Sequence, residues 1–224
     1  MEFKKKMEKN TVPEIEYILP SEIEKRSFEI ISEELSEMGI SLPSEELPIT
    51  KRVIHTTADF SYAKTLSYSE NAVATAMSVL EQGATVVTDT NMALSGINKG
   101  ALKRLGCSAC CFMADENVAT EAKERGVTRA TVSMERAEKI EGPVIYAIGN
   151  APTALIALHE RIERGGRRPD FLIGVPVGFV NVEASKELFR GSGVPYIINF
   201  GRKGGSNVAA AIVNALMYLC GARS

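Results

Sequence analysis

A doubly wound α/β fold, with a mainly parallel sheet covered by helices on both faces, is what this sequence predicts. Two observations carry the prediction. Five short apolar runs, "ATVVTDT", "CSACCFM", "PVIYAIG", "FLIGVPV" and "PYIINF", lie between residues 84 and 200. Each leads through a turn rich in Gly, Asn or Pro into a helical stretch. Strands that are apolar on both faces belong to buried parallel sheets, and strands alternating with helices are the pattern of βαβ units.

Taken in order, residues 1–13 read as a loose, charged lead-in. "SEIEKRSFEIISEELSEMG", residues 21–39, has Ser21 and Glu24 at capping-box spacing and Gly39 as a stop. Its apolar positions Ile23, Phe28, Ile31 and Leu35 give one face to bury. "SENAVATAMSVLEQG", residues 69–83, is a second helix ending at Gly83. These two helices are expected to pack onto the sheet. The later helices are placed near residues 96–105, 116–139, 151–164, 182–190 and 206–220. No Pro/Ser/Gly-rich linker divides the chain, so residues 1–224 are read as a single domain.

Composition excludes several classes. The formal net charge of −2 gives no electrostatic footprint for nucleic acid. The start "MEFKKKMEKN" has no apolar core, and the apolar run "AAAIVNALMYL" is too short to span a bilayer, so no membrane is implied and the expected location is cytoplasmic. Four cysteines fit a reducing compartment. Cys107, Cys110 and Cys111 fall in an expected strand and are read as buried, unreactive thiols; neither Cys220 nor His159 completes a metal-binding spacing. Charge is unevenly spread: residues 11–46 hold ten acids against two bases, and residues 47–224 hold twenty bases against sixteen acids. A mildly basic body suits an anionic small molecule.

Open parallel sheets bind ligands beyond the carboxyl ends of their strands, which directs attention to the turns there. In "GNAPTAL", Asn150 is a good N-cap, Pro152 sits in the first helical turn, and Thr153 follows it. The segment reads as a well-capped helix, or as one whose N-terminal amides meet an anion. In "GRKGGSN", three glycines and the cations Arg202 and Lys203 precede another helix; a tight turn and an anion contact are both open there. It is neither a Walker loop nor GxGxxG. Asp89, Asn98 and Lys99 follow the first apolar run. Arg129, in "RGVTRATVS", stands at a helix start, where an arginine is ordinarily a solvated surface residue. Together these turns offer amides, hydroxyls and cations to a ligand with several carboxylates or phosphates. His55, in "KRVIHTTADF", reads as structural when taken alone.

The segments "EKRSFEII", "RVIHTTADF", "GATVVTDTNMALSGI", "GVTRA", "AIGNAPTAL", "GVPVGFV", "EASKEL" and "GRKGGS" occur in this order from about Pro13 onward. In this combination the chain resembles the precorrin-8X methylmutase family of cobalamin biosynthesis. The resemblance implies an α/β homodimer that moves a methyl group from carbon eleven to carbon twelve of a contracted tetrapyrrole. It also implies that no redox cofactor, enzyme-bound metal or nucleotide takes part. The substrate is a polycarboxylate, which suits the basic rim. The family's catalytic histidine falls on His55, and this reverses the structural reading. A protonated ring nitrogen draws density from the conjugated system and eases the methyl shift, and imidazole is suited to lend and recover that proton near neutrality.

Ser27 matches a polar substrate contact, Arg129 a carboxylate-binding arginine, and Asn98 and Lys99 a substrate-facing loop. Asp59, four residues beyond His55, is a candidate to orient the imidazole. Ala58 stands where the family pattern leads one to expect glycine, and His159 matches no motif. A dinucleotide-dependent oxidoreductase and a non-catalytic tetrapyrrole carrier are the alternatives on the same fold.

Overall fold

A computed structural model of the chain describes residues 17–222, so the lead-in 1–13 lies outside the described residues. Six strands form one sheet: β1 (Leu66–Tyr68), β2 (Thr85–Thr88), β3 (Ser108–Cys110), β4 (Val144–Ile148), β5 (Phe171–Gly174) and β6 (Tyr196–Asn199). Their order across the sheet is β1-β6-β5-β4-β2-β3. All neighbours are parallel except β1, which runs antiparallel to β6 with Ser67 opposite Ile198. The order reverses direction between β2 and β4, so the predicted doubly wound sheet is present and its switch point lies between those strands.

Both sheet faces are covered, which is why the central strands are apolar throughout. In β4, Ile145 and Ala147 face one core, while Val144, Tyr146 and Ile148 face the other. The first core receives α1 (Ile23–Glu37), α2 (Leu47–Thr57), α4 (Ala72–Glu81), α6 (Lys99–Arg104) and α11 (Ser206–Leu219). The second receives α8 (Arg129–Ala137) and α9 (Pro152–Glu163). The helices α3 (Tyr62–Thr65), α5 (Asn91–Gly96), α7 (Glu116–Arg125) and α10 (Val182–Glu187) complete the connections. No helix among the described residues is long and apolar enough to cross a membrane.

Several expectations need correction. The stretch 116–139 is two helices, α7 and α8, because Gly126 closes α7 in the left-handed region at φ 65°. The stretch 96–105 is likewise broken, with Ile97 and Asn98 in extended conformation between α5 and α6. The capping box of α1 does not form: the chain enters through a turn in which Leu19 O accepts from Glu22 N–H, and Glu24 pairs with Arg52. Ile23 is exposed as a result of lying in that first turn. All four cysteines are half-buried: Cys107, Cys110 and Cys111 lie on or beside β3, the edge strand, and Cys220 follows the end of α11. Burial still pushes their thiols up, that of Cys110 to about 11.

Candidate functional site

His55 occupies the last turn of α2, a helix whose Ile49, Val53 and Ile54 bury against the first core and leave the following residues outside. The chain leaves α2 through Ala58, which sits in the left-handed region at φ 52° and donates its N–H to Ile54 O. The expectation of glycine at this position thus reflects a real backbone demand, met here by alanine at a cost of about 1 kcal/mol. The imidazole is exposed, and its ring stacks on Phe28 of α1 with centroids 5.2 Å apart and planes at 23°. Among the described residues neither ring nitrogen has a hydrogen-bond partner.

Two adjoining cavities, each of about 300 Å³, lie beside this stacked pair, one bordered by His55 and the other by Phe28. One is bordered by His55 and Thr56 on α2, Gly96 on α5, and Asn207, Ala210 and Asn214 on α11. The other has an apolar floor of Leu47, Pro48, Ala215 and Leu219 below Phe28 and Lys51. Arg52 and Tyr218 border both. The close approach that shapes the first cavity depends on Gly96, where a Cβ would stand 2.9 Å from that of Ala210.

Arg52 and Tyr218 are the residues that motif reading misses. Arg52 precedes His55 by three positions on one helix, so the two share a face; that spacing was the available signal. Its guanidinium lies 4.6 Å from the Phe28 ring centroid and 5.5 Å from that of Tyr218, and it pairs with Glu24. Lys51 donates to Ser32 Oγ at 2.6 Å, and burial lowers its pKa. The result is an exposed imidazole stacked on Phe28, with the cations Lys51 and Arg52 over that same phenyl ring.

The predicted site residues fall into distinct groups. Ser27 is next to Phe28, and its hydroxyl donates to Ile23 O at 2.9 Å. Asn98 stands behind the first cavity wall: its Oδ1 caps α6 at Ala101 N–H, its Nδ2 donates to Tyr218 Oη at 3.0 Å, and its backbone N–H donates to Asn214. Lys99 is exposed on α6. Lys203 is turned toward the His55 segment: its Nζ lies 2.6 Å from Asp59 Oδ2 and 2.8 Å from Ser61 Oγ. Asp59 is therefore committed to Lys203 and to Ser61 N–H instead of the imidazole, and these bonds hold its carboxyl below the usual range. Arg202 meets Glu183 at 3.3 Å. Arg129 opens α8 behind its Thr128 cap and borders a different cavity, with Lys123 and Val127. His159 packs edge-on against Phe189 at 6.0 Å.

Asn150 is not the N-cap of α9, and the amides there are not vacant. Ala151 takes the cap position without a side-chain bond. Asp89, which follows β2 and is 1% exposed, accepts from the N–H groups of Gly149, Asn150 and Ala151 at 2.9, 2.8 and 2.6 Å. Burial raises its pKa, opposed by these three amides. The crevice at the switch point is thus closed by the chain's own carboxylate, with Asn150 at its edge and Thr153 exposed one turn on. Gly149 lies directly against the Gly-rich loop, since a Cβ there would come within 2.8 Å of Gly205 O. Among the described residues no three His, Cys, Asp or Glu side chains converge as metal ligands.

Comparison with known proteins agrees with the sequence resemblance. A family model described as precorrin-8X methylmutase matches residues 22–219. The cobalt-precorrin-8 methylmutase of Salmonella typhimurium is 44% identical over 206 residues, covering 89% of this chain and 95% of that protein. The precorrin-8X methylmutase of Pseudomonas aeruginosa is 38% identical over 206 residues, covering 90% and 97%. Among solved structures, precorrin-8X methyl mutase from Thermus thermophilus superposes with a TM-score of 0.82 at 35% identity, covering 89% of this chain and 96% of that one.

Proposed function

The chain belongs to the precorrin-8X methylmutase family, and from that premise we propose how it performs the family's isomerisation. It is an isomerase of cobalamin biosynthesis whose substrate is precorrin-8X or its cobalt-containing counterpart. In the reaction the methyl bond to carbon eleven breaks as a bond to carbon twelve forms, and the conjugated system shifts with it. His55 lends a proton to a ring nitrogen of the macrocycle, which lowers the barrier to migration, and recovers it when the product's conjugation is set. The net change is isomeric, and the imidazole returns to its starting state.

One observation carries this assignment. His55, without a hydrogen-bond partner among the described residues, lines a cavity with Arg52 and Tyr218 and stacks on Phe28, which borders the adjoining apolar hollow. A core histidine would instead be buried and hydrogen-bonded. Arg52, Lys51 and Lys99 are the cations we assign to substrate carboxylates near His55, with Ser27, Asn150, Thr153, Arg202 and the Lys203 loop at the margins and Asn98 supporting the wall; Arg129, at a separate cavity, is assigned to a carboxylate outside that hollow. The substrate's own metal, when present, belongs to the substrate; the proposed chemistry uses no cofactor of the enzyme's. We further propose a cytoplasmic homodimer, supported by the exposed apolar side chains Phe179, Val180 and Met92 at 83%, 78% and 73% exposure. The oxidoreductase alternative lacks support: the crevice where a dinucleotide's phosphates would sit is filled by Asp89.

The test is to incubate the protein with precorrin-8X and follow its visible spectrum. His55→Ala should leave melting temperature and ligand affinity near those of the wild type while single-turnover rate falls ~10²- to 10⁴-fold. Near-normal turnover would refute the role of His55. A spectrum unchanged by wild-type protein would refute the reaction itself.

A further inference from the structure

Lys186 is the one lysine among the described residues that is fully buried, at 0% exposure. It lies on α10, and its Nζ donates to Gly201 O at 2.7 Å and to Lys203 O at 3.0 Å. Asn199 Nδ2 also donates to Lys203 O, at 2.8 Å, and Asn199 in turn accepts from Thr65 at 2.7 Å. Between these two carbonyls, Arg202 O accepts from Gly178 N–H at 3.1 Å. Three successive carbonyls of the Gly-rich loop are thus gripped from inside the protein.

A buried ammonium bonded directly to carbonyls, with the carboxylate of Glu183 acting on it only through its charge, is a poor device for stability alone. Desolvation costs several kcal/mol, and an apolar side chain of the same length would fill the space more cheaply. What a side chain with several donor hydrogens supplies, and an apolar one does not, is a reason for two carbonyl oxygens of one loop to converge on a point, where they would otherwise repel. With the loop backbone held in this way, the Lys203 side chain is aimed across to Asp59 and Ser61. Those residues follow Ala58, the left-handed residue that ends the helix bearing His55.

We propose that Lys186 is a positioning residue for the methyl shift: from within the core it fixes the Gly201–Lys203 backbone and, through Lys203 and Asp59, the turn that sets the place of His55. This rests on the reading of His55 as the proton donor. Lys186 touches no substrate; it acts through a loop and an ion pair.

The experiment uses full-length wild type, Lys186→Met, Lys203→Met and the double variant, each assayed with precorrin-8X well below its melting temperature. Lys186→Met should lower kcat ~10- to 100-fold, the scale expected for a misplacement of about 1 Å, and change KM much less. Because both lysines act along one route, the double variant should lose no more than the worse single variant. Losses that multiply, or a Lys186→Met kcat within about twofold of wild type, would overturn the proposal. The exposed Lys203→Met variant covers the case in which Lys186→Met does not fold; a wild-type kcat there would equally overturn it. An activity-independent readout separates this from failure of the isomerase reading. The imidazole resonances of His55, distinguished from those of His159, should move in Lys203→Met, and unmoved resonances would refute the positioning route whether or not the wild type turns over.

Discussion

Adding a single methyl group at Gly204 tests whether the Gly-rich loop is held where the site needs it. A Cβ on Gly204 would stand 2.0 Å from Val175 O, 2.7 Å from Val175 C and 2.9 Å from Pro176 O. All three obstacles are backbone, so no side-chain rotation relieves them. The loop must retreat by ~1 Å or more to reach ordinary van der Waals separation. That retreat breaks the bond from Gly205 N–H to Val175 O, now 2.9 Å long. Overpacking costs about 1 to 3 kcal/mol and the lost hydrogen bond about 1, so Gly204→Ala should destabilise the fold by roughly 2 to 4 kcal/mol. For a chain of this size, that is a fall of about 5 to 15 °C in Tm.

Displacing the loop also drags Lys203 away from Asp59, so turnover should drop by up to ~10²-fold in protein that is still folded. Gly39→Ala is the comparator. Gly39 has φ +67° with nothing within 4 Å of the position a Cβ would take, so only the left-handed penalty of about 1 kcal/mol applies and turnover should be intact. Calorimetric melting and single-turnover absorbance on both variants provide the measurement. If Gly204→Ala melts and turns over like Gly39→Ala, the loop is plastic and its backbone constraints do not matter to the site.

Asp89→Asn should destabilise by about 2 to 4 kcal/mol, since the amide replaces one of the two acceptor oxygens with an NH₂ group facing N–H donors; an unchanged denaturation midpoint would show that the amides find other partners. Asp59, with its folded pKa held below the ordinary 3.8 chiefly by the Lys203 hydrogen bond, contributes stability above 3.8 that is lost as pH falls through its folded value. The pair is largely exposed, so the contribution is under about 1 kcal/mol. The Tm difference between wild type and Asp59→Asn should therefore be present at neutral pH and vanish in acid. A difference that persists in strong acid would mean that the substitution disturbs the turn by some other route.

What the sequence made legible follows from where its signals are local. β4 and β5 are buried at every position, and their uninterrupted apolar runs are readable as such. The reach of the turns beyond them is equally local, since Gly, Asn and Pro act on their own residues. β1 is three residues long and pairs antiparallel at the sheet edge, too short for any period to show. α2 begins with Pro48 in its first turn and carries β-branched residues through its middle, which weakens a helical reading although Ile49, Val53 and Ile54 have the right spacing. The errors in the site are errors of long range. Nothing near Asn150 reveals that a carboxylate from 61 residues earlier takes up the amides of the turn before the helix, and nothing near Lys203 reveals Asp59. Residue type located the rim, but side-chain pairing across it required the fold.

The carboxylate of Asp89 makes the molecule its own competitor. A free metabolite phosphate or carboxylate seeking the amides after β4 would have to displace a group attached to the same chain and already oriented toward them. A tethered group competes at an effective concentration on the order of millimolar or more however dilute the protein is. The fold thereby keeps the geometry of its switch point while withdrawing it from exchange with solutes. A small phosphorylated metabolite would find these amides already occupied, and in the proposed function the substrate is held instead at the neighbouring surface around His55.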